Sequence, residues 1–220
     1  MTSGKEDYLK ALYTLSDSYE IITNKQLADT LQVSPPSVSE MIVKLEKQGY
    51  VEYTAYKGSR MTLKGKSAAA KLIRFHCIWE VFLVEVLGFS WSEAHLEAEG
   101  LEHATSDVLA ERLYEKLGRP AFGPDGTAIP DKQGNRPLQG HLAISELAEG
   151  DSAVISWFED DMELMDYLQA KEIAVNLEIL IMEKEPYEGS ILLHTNKGDI
   201  TISHKAAKQV YVRRCEVEPV

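Results

Sequence analysis

Apolar residues recur at helical spacing through the first third of the chain. Tyr8, Leu9, Leu12 and Tyr13 share one face of a helix predicted over residues 5–15. Thr23 can cap a second helix running to Leu31, with Leu27, Ala28 and Leu31 turned inward. In Val33-Ser34-Pro35-Pro36-Ser37, Ser34 is the natural N-cap and the prolines suit a first helical turn. Val38, Met41, Ile42 and Leu45 then continue at i, i+3, i+4, i+7 spacing until Gly49, a C-terminal stop. Val51-Glu52-Tyr53 and Met61-Thr62-Leu63 alternate like strands around a turn at Lys57-Gly58.

A helix pair with a tight turn, followed by a hairpin, is the pattern of a winged helix-turn-helix. Its second helix would enter the major groove of double-stranded DNA. Ser37, Ser39, Glu40 and Lys44 lie opposite the apolar stripe of that helix, and Lys57 and Arg60 on the wing would meet phosphates. Pro35 and Pro36, beside Ser34, would touch thymine methyls.

From Lys66 to Leu87 the pattern is apolar nearly all round (Leu72, Ile73, Phe75, Ile78, Trp79, Phe82, Leu83, Val86), which predicts a long helix covered on several sides, as in a homodimer interface, with an internal core helix as the alternative. Ser90 and Glu93 have capping-box spacing, and the helix they open is expected to run to about Leu117. The Gly- and Pro-rich stretch from Gly118 to Gly140 reads as loop. Beyond Gly150, strands are predicted at Val154–Phe158, Val175–Met182, Ile191–His194, Ile200–Ile202 and Val210–Val212, with an acidic helix near 161–170. The expected fold is therefore mainly α with a β C-terminal domain, a small barrel. The expected domains are a winged helix-turn-helix over 1–64, a helical domain over 65–140 and the β domain over 150–220.

The net charge of −12 argues against a nucleic-acid partner until its distribution is considered. Residues 1–71 carry ten Lys and Arg against eight Asp and Glu, whereas the remainder carries thirteen against twenty-seven. Only the first segment is compatible with a polyanion; the acidic remainder can attract cations. Cys77 and Cys215 are too few and too far apart for a disulfide framework. No signal peptide or membrane-spanning run is visible, so a cytoplasmic protein with no membrane partner is expected.

The chemistry concentrates in His95-Leu96-Glu97-Ala98-Glu99-Gly100-Leu101-Glu102-His103. On a helix Glu99, Glu102 and His103 share one face, and His95 lies a turn before Glu99. The preceding helix offers His76 and Glu80, again one turn apart. Carboxylates held this close repel one another, and a divalent cation removes that cost. Oxygen ligands with an imidazole favour manganese or ferrous iron over a thiolate-preferring metal. A metallohydrolase would use similar groups, but there is no His-Glu-x-x-His pair and no nucleophile motif, so an enzyme is not expected. The alternative is a winged-helix regulator of a small organic effector, in which Glu99 and His103 are merely polar.

The chain also resembles the diphtheria-toxin-repressor and manganese-transport-regulator family of metal-dependent repressors. The resemblance is carried by Lys5-Glu6-Asp7-Tyr8-Leu9, Val33-Ser34-Pro35-Pro36-Ser37-Val38-Ser39-Glu40-Met41, His76 with Glu80-Val81-Phe82-Leu83, and Glu99 through His103. It implies a DNA-binding domain, a helical metal-binding and dimerisation domain, and a C-terminal barrel of SH3-like or FeoA-like type. It implies a primary metal site at Asp7, Glu99, Glu102 and His103, and a second at His76, Glu80 and His95 with Asp160. It further implies inverted-repeat operators, mainly of metal-uptake genes. Iron-type members carry Met and Cys where Asp7 and Glu99 stand, so the oxygen ligands match the manganese type. Lys10 stands where two-domain manganese members have a carboxylate. Gly123-Pro124-Asp125-Gly126 stands where several three-domain members read Cys-Pro-His-Gly, leaving only Asp125 to substitute as a ligand.

Overall fold

A computed structural model describes residues 3–16, 18–137, 139–140 and 142–214. They divide into two compact units. One comprises the residues up to His76 with Glu99–Arg112 and Ile129–Arg136; the other comprises Cys77–Ala98, Leu113–Ala128 and the residues from Pro137 onward.

The first unit opens with α1 (Ser3–Leu15), α2 (Asn24–Leu31) and α3 (Pro35–Lys47). Thr23 and Gln26 close a reciprocal capping box on α2, Thr23 Oγ1 accepting from the Gln26 N–H at 3.2 Å and Gln26 Oε1 accepting from the Thr23 N–H at 2.8 Å. Ser34 caps α3 and the prolines fill its first turn. Gly49 follows the end of α3 with φ +74°. Leu9, Leu12, Ile22, Leu27, Val38, Ile42 and Leu45 form the core and are essentially inaccessible.

The wing pairs β1 (Val51–Thr54) with β2 (Gly58–Met61), Val51 opposite Met61 and Thr54 opposite Gly58. The second strand thus lies three residues earlier than the alternation predicts. Thr62 instead starts the next helix: its N–H donates to the Tyr50 carbonyl and its Oγ1 accepts from the Gly65 N–H at 3.1 Å. That helix, α4 (Leu63–Glu85), buries much of the apolar run assigned to a dimer interface: Leu72, Phe75, Ile78, Val81 and Leu83 are all covered within the chain.

The helix opened by Ser90 does not reach Leu117. It breaks into α5 (Trp91–Ala104) and α6 (Asp107–Lys116). The cause is local: Thr105 Oγ1 donates to the Leu101 carbonyl, and Ser106 Oγ accepts from the Leu109 N–H, so two hydroxyls end one helix and begin the next.

In the second unit an antiparallel five-stranded sheet has the order β6-β5-β4-β3-β7, from β3 (Ser152–Phe158), β4 (Glu178–Lys184), β5 (Ile191–Thr195), β6 (Gly198–Ile202) and β7 (Val210–Arg214). β4 begins later than its apolar run because Asn176 takes φ +67° in a turn. α7 (Met162–Ala170), capped by Asp161, and a short α8 (His204–Gln209) that the pattern did not reveal pack on a core of Ile144, Ile155, Phe158, Leu168, Leu193 and Val210. Cys77 is buried, and Cys215 lies outside the described residues. Among the described residues no helix is long and apolar enough to cross a membrane.

Candidate metal centre and nucleic-acid interface

Within the first unit, α5 delivers Glu99, Glu102 and His103 to one place and α1 delivers Glu6, Asp7 and Lys10 to meet them. His103 Nε2 lies 3.2 Å from Asp7 Oδ1 and 3.8 Å from Glu102 Oε1. One ligand atom each from Asp7, Glu99 and His103 fall within 4.8 Å of one another. The Glu102 side chain is fully covered; its Oε2 meets His76 Nδ1 at 2.7 Å, while among the described residues no hydrogen-bond donor reaches its buried Oε1. A buried carboxylate oxygen costs free energy unless something positive completes it. Burial raises the Asp7 pKa above the ordinary carboxylate value; His103 opposes this and Glu99 adds to it.

Glu6, which the helical spacing did not single out, has a clear role. Its Oε2 lies 2.6 Å from His103 Nδ1. This contact buttresses the imidazole from behind and points Nε2 toward Asp7 and Glu102. The signal was present as the residue preceding Asp7, but which helix face meets α5 is a tertiary fact. The buried acceptor at Glu102, the oriented imidazole and the oxygen-rich donor set fit a hard or borderline divalent cation.

The second unit holds another cluster. His95 Nδ1 lies 3.2 Å from Glu80 Oε1 and 2.9 Å from Asp160 Oδ1. Asp125 is buried beside them, accepting from the Thr127 N–H at 3.0 Å and from the Thr127 hydroxyl. Burial, with the Glu80 and Asp160 carboxylates adding, pushes the Asp125 pKa up to about 7 against the pull of Thr127. A side chain at Gly123 would crowd this carboxylate, because a Cβ there would stand 2.8 Å from Asp125 Oδ1. Glycine at 123 and an inward aspartate at 125 therefore go together. His76 lies one turn before Glu80 on α4, and its imidazole pairs with Glu102 in the first unit.

The raised Asp125 pKa makes a stability prediction for the metal-free protein. Folding keeps the carboxyl protonated where the unfolded chain ionises it, so stability should fall as pH rises from about 4 through 7. Urea titrations in chelator should show Asp125→Asn flattening that slope and gaining at least ~1 kcal/mol at pH 8. Equal slopes for the two proteins would show that the carboxyl ionises freely.

The cap Ser34, Pro35, Pro36, Ser37, Ser39, Glu40 and Lys44 of α3 are all exposed, as are Lys57 and Arg60 of the wing. Lys44 pairs with Glu40 at 2.7 Å, and Arg60 pairs with Glu20. Both pairs are exposed and therefore weak. Asn24, another residue not expected here, donates from Nδ2 to Ser39 Oγ at 3.0 Å and ties α2 to α3.

Residues 1–59 match the model of the iron-dependent repressor N-terminal DNA-binding domain, residues 62–131 that of the iron-dependent repressor metal-binding and dimerisation domain, and residues 142–214 that of the FeoA domain. The transcriptional regulator MntR of Oceanobacillus iheyensis is 35% identical, over 59% of this chain and 86% of its own. The chain belongs to the diphtheria-toxin-repressor and manganese-regulator family of metal-dependent transcriptional repressors. The iron-dependent repressor IdeR of Mycobacterium leprae is 26% identical over 95% of this chain and 96% of its own. Among solved structures, a manganese-dependent transcriptional repressor in complex with manganese superposes with TM-score 0.87 at 31% identity, covering 96% of this chain and 100% of that one. ScaR with bound Cd2+ gives TM-score 0.81 at 35% identity, covering 96% and 99%. The family is one of DNA-binding, dimerising repressors rather than enzymes, which removes the metallohydrolase reading.

Proposed function

We propose that this chain represses transcription in response to manganese, with ferrous iron as the competing physiological metal, by binding inverted-repeat operators as a homodimer. The observation that carries the reading is the convergence of α1 and α5 on the buried, undonated Oε1 of Glu102. A divalent cation held there by Asp7, Glu99, Glu102 and His103 supplies the positive charge that the facing carboxylates lack. Asp7 belongs to the first helix of the reading head, whereas Glu99, Glu102 and His103 belong to α5. Uncompensated, Asp7 on α1 opposes Glu99 and Glu102 on α5 and weakens the hold that Lys10 gives α1 there, and the head then samples orientations that do not suit DNA. Compensated, the same residues hold α1 in place, and the DNA-competent fraction rises. The oxygen-rich donor set favours manganese or ferrous iron over thiolate-preferring metals. Glu80, His95, Asp125 and Asp160, with His76 nearby on α4, form the proposed second site. Exposed Val108 and Leu109 on α6, and Leu96 on α5, support dimerisation through the helices of residues 66–117.

At the DNA, Ser37 and Ser39 reach base edges, Pro35 and Pro36 contact thymine methyls, and Lys44, Lys57 and Arg60 hold phosphates. The test is operator binding by fluorescence anisotropy against manganese, ferrous iron, zinc and chelator, at several salt concentrations. Binding should require metal, and Lys57→Ala should lower the slope of log affinity against log salt by about 0.9. Metal-independent binding would favour the organic-effector reading, and an unchanged slope would remove the wing from the interface.

A further inference from the structure

The tip of the wing carries a tyrosine that the fold of the free protein does not use. Tyr56 is fully exposed and adopts φ +64°. That left-handed conformation is unfavourable for a residue with a Cβ. The turn is closed by the Lys57 N–H, which donates to the Thr54 carbonyl at 3.0 Å, so the conformation is built into the hairpin. The ring buries nothing within the chain to offset it. An unfavourable backbone conformation without compensation in the free molecule points to compensation on binding.

The surroundings of Tyr56 identify what it meets. A groove of about 180 Å³ lies beside the ring, between the wing and the start of α2, and is lined by Thr23, Asn24, Tyr53, Lys57 and Gly58 as well as Tyr56. Asn24 also donates to Ser39 Oγ on the exposed side of α3, so the groove adjoins the surface that reads the major groove. Ile22 and Ser59 exchange two hydrogen bonds of 2.8 Å at the base of the wing, which keeps the tip in place before DNA arrives and lowers the entropy lost on binding. Lys57, next to the ring, attracts phosphate. A tyrosine ring gains little from a phosphate. It packs instead on the apolar faces of deoxyriboses, and its hydroxyl donates to acceptors such as adenine N3 and thymine O2, which line the minor groove. Tyr187 supplies the contrast. It is also fully exposed, with φ +57°, but it stands in the run Glu185-Pro186-Tyr187-Glu188, whose charge repels a polyanion.

We propose that Tyr56 is a specificity-determining contact in the minor groove. The wing tip enters the minor groove adjoining each half-site, with the ring against a deoxyribose, the hydroxyl on adenine N3 or thymine O2, and Lys57 on the neighbouring phosphate. The operator is thereby read for A·T pairs at positions that α3 does not touch. A G·C pair there presents the guanine 2-amino group, a donor, where the hydroxyl needs an acceptor. A narrow A·T-rich groove also deepens the negative potential that attracts Lys57. The inference rests on the reading of α3 and the wing as the DNA interface.

The test uses the full-length protein with manganese and a duplex that the wild type selects from a randomised pool, read by fluorescence anisotropy. The pairs on either side of each half-site are set to A·T, G·C or inosine·C, the last lacking the 2-amino group. The wild type should bind the A·T and inosine·C flanks at least about fivefold more tightly than the G·C flanks. Tyr56→Gly should lose about tenfold in affinity for A·T flanks and bind all three duplexes alike. Its urea midpoint should be no lower than that of the wild type, and its manganese binding without DNA should be unchanged. Tyr187→Gly makes the same backbone change away from the wing and should leave operator affinity unchanged. Flank-independent binding by the wild type overturns the proposal, as does inosine·C behaving like G·C. Unchanged affinity or a lowered urea midpoint in Tyr56→Gly, or an equal loss in Tyr187→Gly, overturns it too. A wild type that enriches no duplex with manganese overturns the proposed function, and this inference with it; a wild type that binds while Tyr56→Gly binds equally well overturns this inference alone.

Discussion

Asp7→Ala and His103→Ala should each lower operator affinity at limiting manganese by at least about a hundredfold while leaving the fold and the dimer intact. The size follows from the role. If Asp7 is the ligand that α1 contributes, its loss uncouples the reading head from α5, and apparent affinity falls with the competent fraction. The fold should survive because burial raises the Asp7 pKa: the ionised carboxylate is not stabilised in the metal-free protein, so removing it costs that state little. His103 is linked to Glu6 and Asp7, and of the two Asp7 is well exposed and remains solvated without it. Linkage adds a second readout, since operator DNA must tighten manganese binding in the wild type by the factor with which manganese tightens DNA binding. Calorimetric manganese titrations with and without operator, alongside circular dichroism and sedimentation of each variant, check both. Wild-type operator affinity in either variant would refute the bridge between α1 and α5.

Gly58→Ala should destabilise the protein by about 2–4 kcal/mol and weaken operator binding with it. Gly58 sits at the start of β2 with φ +132°, a conformation that residues with a Cβ rarely adopt. A Cβ there would stand 2.3 Å from the carbonyl oxygen of Ile22, a backbone atom held in place by its bridge to Ser59. The two 2.8 Å hydrogen bonds between Ile22 and Ser59 fasten the wing to the turn before α2, so relieving the clash means unfastening the wing. Gly49 supplies the control. Its φ is +74°, but nothing lies within 4 Å of a Cβ there, so Gly49→Ala should cost only about 1 kcal/mol. Urea unfolding of the two variants compares them directly; equal losses would mean that the wing tolerates the displacement.

Much of the architecture was legible because it is written in short-range terms. The apolar stripe of α3, its Ser34 cap, the Thr23 cap of α2 and the stop at Gly49 each depend on residues within one or two helical turns. The strands of the C-terminal sheet followed from alternation, with ends displaced by up to three residues. Thr62 left the wing to start α4, and Asn176 turned the chain before β4. The break between α5 and α6 was missed because Thr105 and Ser106 interrupt a helix through their hydroxyls without changing its apolar spacing.

For the site, the sequence by itself determined which side chains on one helix act together. Glu99, Glu102 and His103 share a face because a helix repeats every 3.6 residues, and their oxygen and nitrogen atoms set the class of cation. Only the tertiary structure decided what meets that face. Packing of α1 brings Glu6 behind the His103 imidazole and Asp7 in front of it, and seats the Lys10 ammonium between Glu99 and Glu102. It also leaves Glu102 Oε1 buried without a donor. These contacts join residues about 90 positions apart, and no local periodicity records them. They follow from how two helices dock, which the whole core determines and no single segment encodes.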